Sequence, residues 1–574
     1  MQAALGRIEA LTLAVLGWAR RGRWRQALLL AVLALVALLP GLADLPPTDR
    51  DESRYIQASR QMLESGDFVD IRFQDQPRWK KPAGIYWLQA AAALPFGGPE
   101  APVWAWRLPS ALAILVAGLA TAWALAPATG HAAALVAAAM TATCVMAVVE
   151  GHLAKTDAVL LALTVVAMGA LARILIGPPR PAGAMHLLFW AGLGAGILVK
   201  GPVILMPAGG AVLWHCVAAR GLGPLWRTRP LVGIPVLALV TLPWAVAIWL
   251  RTDGAFFSAA VGGDLLAKLG EGAEGHWGPP GYYLATVWAS FWPWAPLLVL
   301  AAGHAWRARS EPGVRFLLGW AVPSWLMFEA AATKLPHYVL PVFPALAGLI
   351  ALWLVAREKP VPPPGRLLVA AGLFAVPGLV LALAAIFALP MIEGTAAPAA
   401  IALGLAAILL LAAGARALVE RRLAAFLGAA TLAALCLYPA IFQFTLPRLD
   451  KLFISPRLVE ARARFDACSD RPLAIVGYYE PSLVVAAGTD TRRLSPEEAL
   501  ALLRAGDGWL IFVEEGRGLS LQELVDRAGV PLSVLAAVDG FNYNRGARTT
   551  IFLVARSDDP AIAPCLSLAS GGGR

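Results

Sequence analysis

The chain has 574 residues, of which 59% are hydrophobic and 15% are charged, and its formal net charge is +10 at pH 7. Soluble domains carry about 25% charged residues, so this composition excludes an ordinary soluble protein and indicates a membrane protein with many spans. The arginines lie in short loops between apolar runs, which is the positive-inside pattern of membrane proteins. The positive charge therefore does not indicate a nucleic-acid partner.

Apolar runs long enough to cross a membrane recur through most of the chain. A helix needs about 20 mostly apolar residues to cross a hydrocarbon layer of ~30 Å. We predict an all-α polytopic fold of about 13 such helices, and we interpret the first run as an uncleaved span because it is longer than the core of a signal peptide. The predicted spans are residues 26–44, 103–126, 131–150, 156–173, 187–200, 202–218, 231–250, 283–303, 316–332, 338–356, 367–390, 397–415 and 423–444.

Basic residues predict the orientation of these spans. Arg20 and Arg21 precede the first span, and arginines such as Arg220, Arg307 and Arg421 recur in every second loop. Cytoplasmic loops carry an excess of Lys and Arg, so we expect a cytoplasmic N-terminus. An odd number of spans then places the C-terminus on the outer face.

The longer polar segments all fall on the predicted outer face. Residues 1–444 form the membrane part, in which 45–102 and 251–282 are outer loops, and residues 445–574 have the composition of a soluble domain. We expect this domain to be a small α/β module that acts as a lid or a packing platform. Its predicted strands are residues 472–478, 508–513, 532–538 and 549–554, with helices at 496–504 and 520–527.

Two of the five cysteines, Cys468 and Cys565, bracket this outer domain. A disulfide between them fits an oxidising compartment. The sequence alone leaves both a disulfide and two free thiols open.

Acids and lysines gather on the predicted outer face. Taken singly they have simple explanations, because acids favour the first turn of a helix and lysines extend toward lipid headgroups. Their concentration indicates more, since an ionised carboxylate near the hydrocarbon boundary is costly without a partner or a task. The outer-face residues are Asp51, Glu52, Arg54, Tyr55, Lys80, Lys81, Asp157, Lys200, Asp264, Lys268, Glu271, His276, Lys334, His337 and Tyr338.

These residue types favour group transfer from a phosphate. Asp51 and Asp157 offer carboxylates that could act as a general base toward a hydroxyl acceptor. Lysines such as Lys81, Lys200 and Lys334 can bind a phosphate and stabilise the negative charge that develops when it leaves. A base beside phosphate-binding cations at a membrane surface indicates transfer from a lipid phosphate and does not fit a channel.

An ordered set of motifs carries a family resemblance over about residues 1–345. The chain resembles the aminoarabinose transferase (ArnT-like) and protein O-mannosyltransferase group of GT-C glycosyltransferases. The motifs are DESRY at residues 51–55, MLESGD at 62–67, KP at 81–82, YWLQ at 86–89, KTD at 155–157, LVKGP at 198–202, PPGYY at 279–283 and KLPHY at 334–338.

The resemblance implies a multi-pass enzyme of the bacterial inner membrane with a periplasmic active site. It also implies a polyprenyl-phosphate sugar donor, an envelope acceptor such as lipid A or lipopolysaccharide, and an inverting, metal-optional single displacement. By position, Asp51 is the leading catalytic carboxylate, with Asp157 as the second acid and Glu52 beside it. The predicted donor-site residues are Lys81, Lys200, Lys334, Arg54, Tyr55, His337 and Tyr338.

The chain departs from the aminoarabinose enzymes at two positions. Those enzymes have a metal-binding Glu immediately before the Lys-Pro, where this chain has Lys80. Where they have a His in the later outer loop, this chain has Gly263 and Asp264, with His276 further along. Both differences argue against a metal site of that kind, so the metal requirement stays open.

Two alternatives remain at this point. One is protein O-mannosyltransferase-type transfer to a Ser or Thr of a secreted protein, which the sequence does not distinguish from a lipid acceptor. The other is a lipid or glycan transporter. Transporters place ionisable residues near the bilayer midplane, often in two related halves. Here the charges cluster at helix ends and no internal repeat is found, which favours the transferase.

Overall fold

The structure is a computed structural model that describes residues 2–177, 182–266, 277–356, 362–517 and 519–566. The first part of the molecule is a helical bundle with a large apolar core, and the last part is a small α/β domain with two apolar clusters on opposite faces of a sheet. The predicted fold class, a polytopic all-α part followed by a small α/β domain, is confirmed.

The bundle consists of long apolar helices and shorter connecting helices. Those before residue 220 are α1 (Gln2–Ala19), α2 (Arg23–Leu38), α3 (Asp51–Ser65), α4 (Gly84–Ala93), α5 (Val103–Thr143), α6 (Val145–Gly151), α7 (Asp157–Leu175), α8 (Gly183–Lys200) and α9 (Leu205–Ala219). Those that follow are α10 (Gly223–Arg227), α11 (Pro230–Thr252), α12 (Ala255–Phe257), α13 (Tyr282–Ser290), α14 (Pro296–Arg307), α15 (Pro312–Ala330), α16 (Phe343–Val355), α17 (Pro364–Ile392), α18 (Pro398–Val419) and α19 (Leu423–Phe442).

Among the described residues, eight helical stretches are long and apolar enough to cross a membrane. Each of the thirteen predicted spans coincides with a helix or a pair of helices. Several of those helices are shorter than a full span, so the number thirteen stays a prediction. The chain is therefore a multi-pass membrane protein.

The bundle agrees with the prediction at one further point and differs from it at another. Helix α5 is interrupted at Gly130, where φ is 76° and the backbone is not helical, so residues 103–143 form two helical segments, as the separate predicted spans 103–126 and 131–150 require. Glycine tolerates this backbone conformation without a steric penalty. Helix α1 lies before the first predicted span and packs on α19, where Arg422 Nη2 lies 2.6 Å from Glu9 Oε2.

The first long loop is ordered by α3 and a short hairpin of β1 (Arg72–Phe73) and β2 (Gln76–Pro77), which pair antiparallel. Helix α3 is amphipathic and buries Tyr55, Ile56 and Met62. It ends at Gly66, whose φ of 70° is typical of the residue that terminates a helix. The loop thus presents the start of α3 at one end of the bundle.

The C-terminal domain contains the four predicted strands and the two predicted helices. The elements are α20 (Ile454–Ala463), β3 (Ala474–Val476), α21 (Pro481–Ala487), β4 (Arg492–Arg493), α22 (Pro496–Ala505), β5 (Ile511–Glu514), α23 (Leu521–Ala528), β6 (Leu532–Asn542) and β7 (Ala547–Arg556). The sheet has the order β4-β3-β5-β7-β6, in which β3 pairs parallel with β4 and β5, while β7 pairs antiparallel with β5 and β6. Cys468 and Cys565 form a disulfide with a Cα–Cα distance of 6.1 Å, which decides between the two alternatives left open above.

Candidate active site

The ends of several helices on one side of the bundle surround a polar cleft. Helices α3 and α7 begin at this cleft, α8 ends at it, and residues 78–81 and 333–338 complete its walls. Its cavity volume is about 70 Å³. The lining residues are Asp51, Tyr55, Arg78, Lys80, Lys81, Lys155, Thr156, Asp157, Lys200, Thr333, Leu335, His337 and Tyr338.

Seven of the ten predicted site residues line this cleft, although they come from five separate segments of the chain. Their chemical roles stay predictions, and their geometry shows what each can do. The seven residues are Asp51, Tyr55, Lys81, Asp157, Lys200, His337 and Tyr338.

Asp51 is the first residue of α3, where the positive end of the helix dipole favours a carboxylate. Its side chain is 52% exposed, and Arg54 lies 4.0 Å from it. The cleft walls raise the pKa of the Asp51 carboxyl by desolvation, but the charges of Lys155 and Arg78 outweigh this effect and hold the pKa below its ordinary value. Asp51 is therefore ionised at neutral pH and accessible from the cleft, as a general base must be.

Asp157 is the first residue of α7, and its side chain is almost fully buried. It forms an ion pair with Lys200 and accepts a hydrogen bond of 3.2 Å from the Thr156 hydroxyl. His337 Nε2 lies 3.8 Å from its second oxygen. These partners fix the carboxylate, so Asp157 is suited to hold Lys200 in the cleft, whereas Asp51 is more accessible to a substrate.

Aromatic side chains form part of the cleft wall. The rings of Tyr55 and Tyr86 lie 5.4 Å apart, and the Arg78 guanidinium lies 5.1 Å from the centre of the Tyr55 ring. On another wall, Lys200 Nζ lies 5.0 Å from the centre of the Tyr338 ring. Such contacts hold the cations in place and leave ring faces beside them.

Lys155 and Glu150 were not among the predicted site residues. Lys155 Nζ lies 3.0 Å from Glu150 Oε1, and the same oxygen lies 3.6 Å from His337 Nδ1. Burial lowers the pKa of Lys155, but Glu150 and Asp157 outweigh this effect and raise it above its ordinary value, so the ammonium remains charged. An acid at the end of an apolar run was the available signal for Glu150, because such acids need a partner.

Lys80, Lys81 and Arg78 bring three cationic side chains to one wall of the cleft. Lys81 Nζ donates a hydrogen bond of 3.0 Å to the Lys80 carbonyl. The short basic run at residues 78–81 was the sequence signal for Arg78. Lys80 also lines this wall, and its cationic ammonium does not suit a metal ligand.

Glu52, one of the predicted catalytic acids, lies away from the cleft lining. It forms a fully buried ion pair with Arg107, with distances of 2.8 Å to Nε and 3.1 Å to Nη2. Its oxygens also accept hydrogen bonds from the Thr48 amide and hydroxyl and from the Ala154 amide. Because every oxygen is engaged, the geometry favours a structural role for Glu52, in which it ties the start of α3 to α5 and to the loop before α7.

Lys334 and Arg54 also lie outside the cleft lining. The Lys334 ammonium is buried and donates to the carbonyls of Gly278 at 2.8 Å and Ala331 at 2.7 Å. These bonds connect two segments beside the cleft, so a structural role fits Lys334 better than contact with a donor phosphate. Arg54 lies one turn along α3 from Asp51 and contributes its charge there.

Lys268, Glu271 and His276, together with the side chain of Asp264, lie outside the described residues. Within the described part of the chain, no group of three His, Cys, Asp or Glu side chains could hold a metal ion.

Comparisons with known proteins agree with this architecture. The family model described as dolichyl-phosphate-mannose-protein mannosyltransferase (PMT) matches residues 26–252. Two undecaprenyl phosphate-alpha-4-amino-4-deoxy-L-arabinose arabinosyl transferases are each 30% identical to the chain, over 312 residues in Enterobacter sp. (strain 638) and 334 residues in Edwardsiella ictaluri (strain 93-146). These matches cover 52% and 57% of the chain and 54% and 58% of the relatives. The chain thus spans little more than half the length of the curated relatives it matches.

The crystal structure of ArnT from Cupriavidus metallidurans bound to undecaprenyl phosphate aligns with a TM-score of 0.68 at 20% identity, covering 92% of this chain and 97% of ArnT. The chain has the fold of ArnT. The archaeal oligosaccharyltransferase AglB from Archaeoglobus fulgidus aligns with a TM-score of 0.53 at 12% identity, covering 87% of this chain and 70% of AglB. The predicted resemblance to the ArnT-like and PMT group of GT-C proteins is confirmed.

Proposed function

We propose that the chain is an integral membrane glycosyltransferase that moves a sugar from a polyprenyl-phosphate donor to an envelope acceptor such as lipid A or lipopolysaccharide. One observation carries the proposal. An accessible carboxylate, Asp51, shares a polar cleft at the ends of the membrane helices with the cations Lys81, Lys155 and Lys200. A donor whose lipid tail lies in the membrane can present its phosphate at this level.

In the proposed reaction, Asp51 accepts the proton of an acceptor hydroxyl. The hydroxyl oxygen bonds to the anomeric carbon of the sugar, while the bond between that carbon and the phosphate oxygen breaks. The electron pair leaves with the polyprenyl phosphate, and a single displacement of this kind inverts the anomeric configuration. The polyprenyl phosphate is a good leaving group, so the enzyme mainly positions the acceptor and neutralises charge.

The cleft cations have separate roles in this scheme. Lys81 binds the donor phosphate, and Lys200, held by Asp157, stabilises the charge that develops on the departing oxygen. Lys155, held by Glu150, keeps the Asp51 carboxylate ionised. Lys80 stands where the aminoarabinose enzymes have a metal-binding Glu, which argues against a metal site of that kind in this scheme.

The proposed location is the bacterial inner membrane, with the N-terminus in the cytoplasm and the cleft and C-terminal domain in the periplasm. The alternation of basic loops supports this orientation. The disulfide between Cys468 and Cys565 also supports it, because disulfides persist in the oxidising periplasm.

Transfer to a protein hydroxyl is the second candidate. The match of residues 26–252 to the PMT model favours it, whereas the names of the arabinosyl transferase relatives favour an undecaprenyl-phosphate donor. Both candidates use the same cleft and the same displacement, and they differ in the acceptor.

The test is mass spectrometry of envelope lipids, lipopolysaccharide and secreted proteins from cells with the chain, without it, and with Asp51→Asn. We expect a sugar-sized mass on one acceptor that is lost in both the deletion and the Asp51→Asn cells. Asp75→Asn is the matched control, because Asp75 is an exposed acid of the same loop outside the cleft. A mass that survives in Asp51→Asn cells would contradict the site, and a mass that never depends on the chain would contradict the transferase.

A further inference from the structure

The C-terminal domain contacts the first long loop at two places, and the start of α3 with Asp51 lies between them. The first contact involves the residues just before α3. The second involves the later turns of α3 and the hairpin of β1 and β2. The domain therefore touches the loop that carries the proposed base rather than the bundle alone.

The first contact joins Asp49 and Arg50 to α21 and to the turn between β6 and β7. The Asp49 amide donates a hydrogen bond of 2.7 Å to the Tyr543 hydroxyl, and the Ser482 amide donates one of 3.3 Å to Asp49 Oδ1. Arg50 Nη2 donates to the carbonyl of Asn544 at 3.4 Å. Both residues immediately preceding the helix are thus held by the domain.

Arg50 has an unusual backbone conformation, with φ of 63° and ψ of −103°. A non-glycine residue in this region is strained and persists only where surrounding contacts hold it. The contacts that Asp49 and Arg50 make with the domain supply that restraint. The conformation of Arg50 sets the direction in which α3 begins, and therefore the position of Asp51.

The second contact centres on Thr489, in the loop after α21. Its hydroxyl donates to Glu64 at 2.9 Å and accepts a hydrogen bond of 2.7 Å from Gln57 Nε2, and both partners lie on α3. Its carbonyl accepts a hydrogen bond of 2.9 Å from Gln74 Nε2, in the turn between β1 and β2. One residue of the domain therefore joins both elements of the loop.

Two further contacts support the same face of α3. Arg60 Nη1 donates a hydrogen bond of 2.9 Å to the Val485 carbonyl of the domain. The Arg60 Nε donates one of 3.0 Å to the Pro99 carbonyl, which belongs to the first long loop itself. The Val485 side chain is buried in a small apolar cluster with Ile56. The face of α3 opposite the cleft is thus covered by polar and apolar contacts with the domain.

We infer that the C-terminal domain is a positioning element for the catalytic carboxylate, and that Thr489 is a positioning residue for Asp51. The domain holds α3 near both of its ends, so that Asp51 keeps a fixed position relative to the cleft cations. This inference rests on the proposed function for its catalytic consequence, whereas the contacts themselves do not depend on it. It gives the domain a more specific role than a lid or a packing platform.

The test compares full-length Thr489→Val, which keeps the shape but removes the hydroxyl, with Thr489→Ser, which keeps the hydroxyl. Thr550→Val is the matched control, because Thr550 donates its hydroxyl hydrogen bond to Asp539 within the domain and not to the loop. Hydrogen–deuterium exchange of the purified protein should show α3 amides exchanging about tenfold faster in Thr489→Val, since two hydrogen bonds that restrain the helix are lost. Thr489→Ser and Thr550→Val should exchange like the unmodified chain.

The second readout separates positioning from folding. In Thr489→Val, sugar transfer should fall about tenfold, because small displacements of a reacting group are costly, while binding of undecaprenyl phosphate as the probe stays unchanged. Exchange in α3 equal to that of Thr550→Val would overturn the inference, and so would faster exchange with undiminished transfer. If the unmodified chain transfers no sugar to any acceptor, the proposed function fails, and the exchange experiment alone then decides whether the domain restrains α3.

Discussion

The buried pair of Glu52 and Arg107 allows a decisive test of how α3 is held. Both side chains are fully buried, with 0% exposure for each. Glu52 accepts hydrogen bonds from Arg107 Nε and Nη2, from the amides of Thr48 and Ala154, and from the Thr48 hydroxyl. The substitution Glu52→Gln keeps the shape of the side chain but removes its charge and replaces one acceptor oxygen with a donor.

The expected cost follows from these contacts. In Glu52→Gln the new amide group faces donors, so two or three hydrogen bonds are lost, and each buried donor left without an acceptor costs about 1–3 kcal/mol. The Arg107 guanidinium keeps its charge without a counter-charge, and breaking a buried pair in this way costs about 3–5 kcal/mol. The two figures describe the same loss, so we expect a destabilisation of about 3–5 kcal/mol and a clear fall in the apparent Tm.

The assay is thermal unfolding of the purified protein. Samples are heated to a series of temperatures, and the fraction that still elutes as a monodisperse species is measured at each one. The double variant Glu52→Met with Arg107→Leu removes both charges and should regain much of the stability lost in Glu52→Gln, since apolar replacements of a buried pair are often tolerated. A Glu52→Gln protein as stable as the unmodified chain but inactive would refute this reasoning. It would support the catalytic role that the sequence predicted for Glu52.

Three further predictions follow from the cleft and the domain. Lys81→Met should weaken binding of undecaprenyl phosphate about tenfold in a titration. An equal loss of binding in Lys334→Met would contradict the structural role of Lys334 and the separate role of Lys81 in binding the donor phosphate. Burial raises the pKa of the Asp49 carboxyl to about 6, so the folded protein binds a proton at this carboxyl more tightly than the unfolded chain does. The free energy of unfolding should therefore fall as the pH rises from about 4 to about 6. In a series of Tm measurements against pH, Asp49→Asn should not show this fall. Cys468→Ser should lower the stability of the C-terminal domain by about 4 kcal/mol, and an unchanged Tm would show that the disulfide contributes little.

The positions of the helices could be predicted because each span is a run of apolar residues, and its length is set by the bilayer. The charged segments between the runs also indicated where a cleft would form. Helix α1 escaped prediction because Arg7 and Glu9 interrupt its apolar run. The short strand β4 has only two residues, which is too few to show a strand pattern.

The roles of individual charges were harder to predict, because the partner of a buried charge is distant in sequence. The sequence predicts Glu52 as a catalytic residue next to Asp51, whereas its ion-pair partner Arg107 lies 55 residues further along the chain. Lys334 was predicted from its residue type, whereas its ammonium is engaged by two backbone carbonyls. Glu150 sits at the end of an apolar run, where the pattern of a span concealed its contact with Lys155.

The disulfide of the C-terminal domain has a consequence for the biogenesis of the protein. Cys468 precedes the first strand of the sheet and Cys565 follows the last, so the bond encloses all five strands. Neither sulfur can meet its partner until the ribosome has finished the whole domain. Oxidation of this pair thus requires a completed domain, and a chain truncated before residue 565 would carry a lone thiol at Cys468.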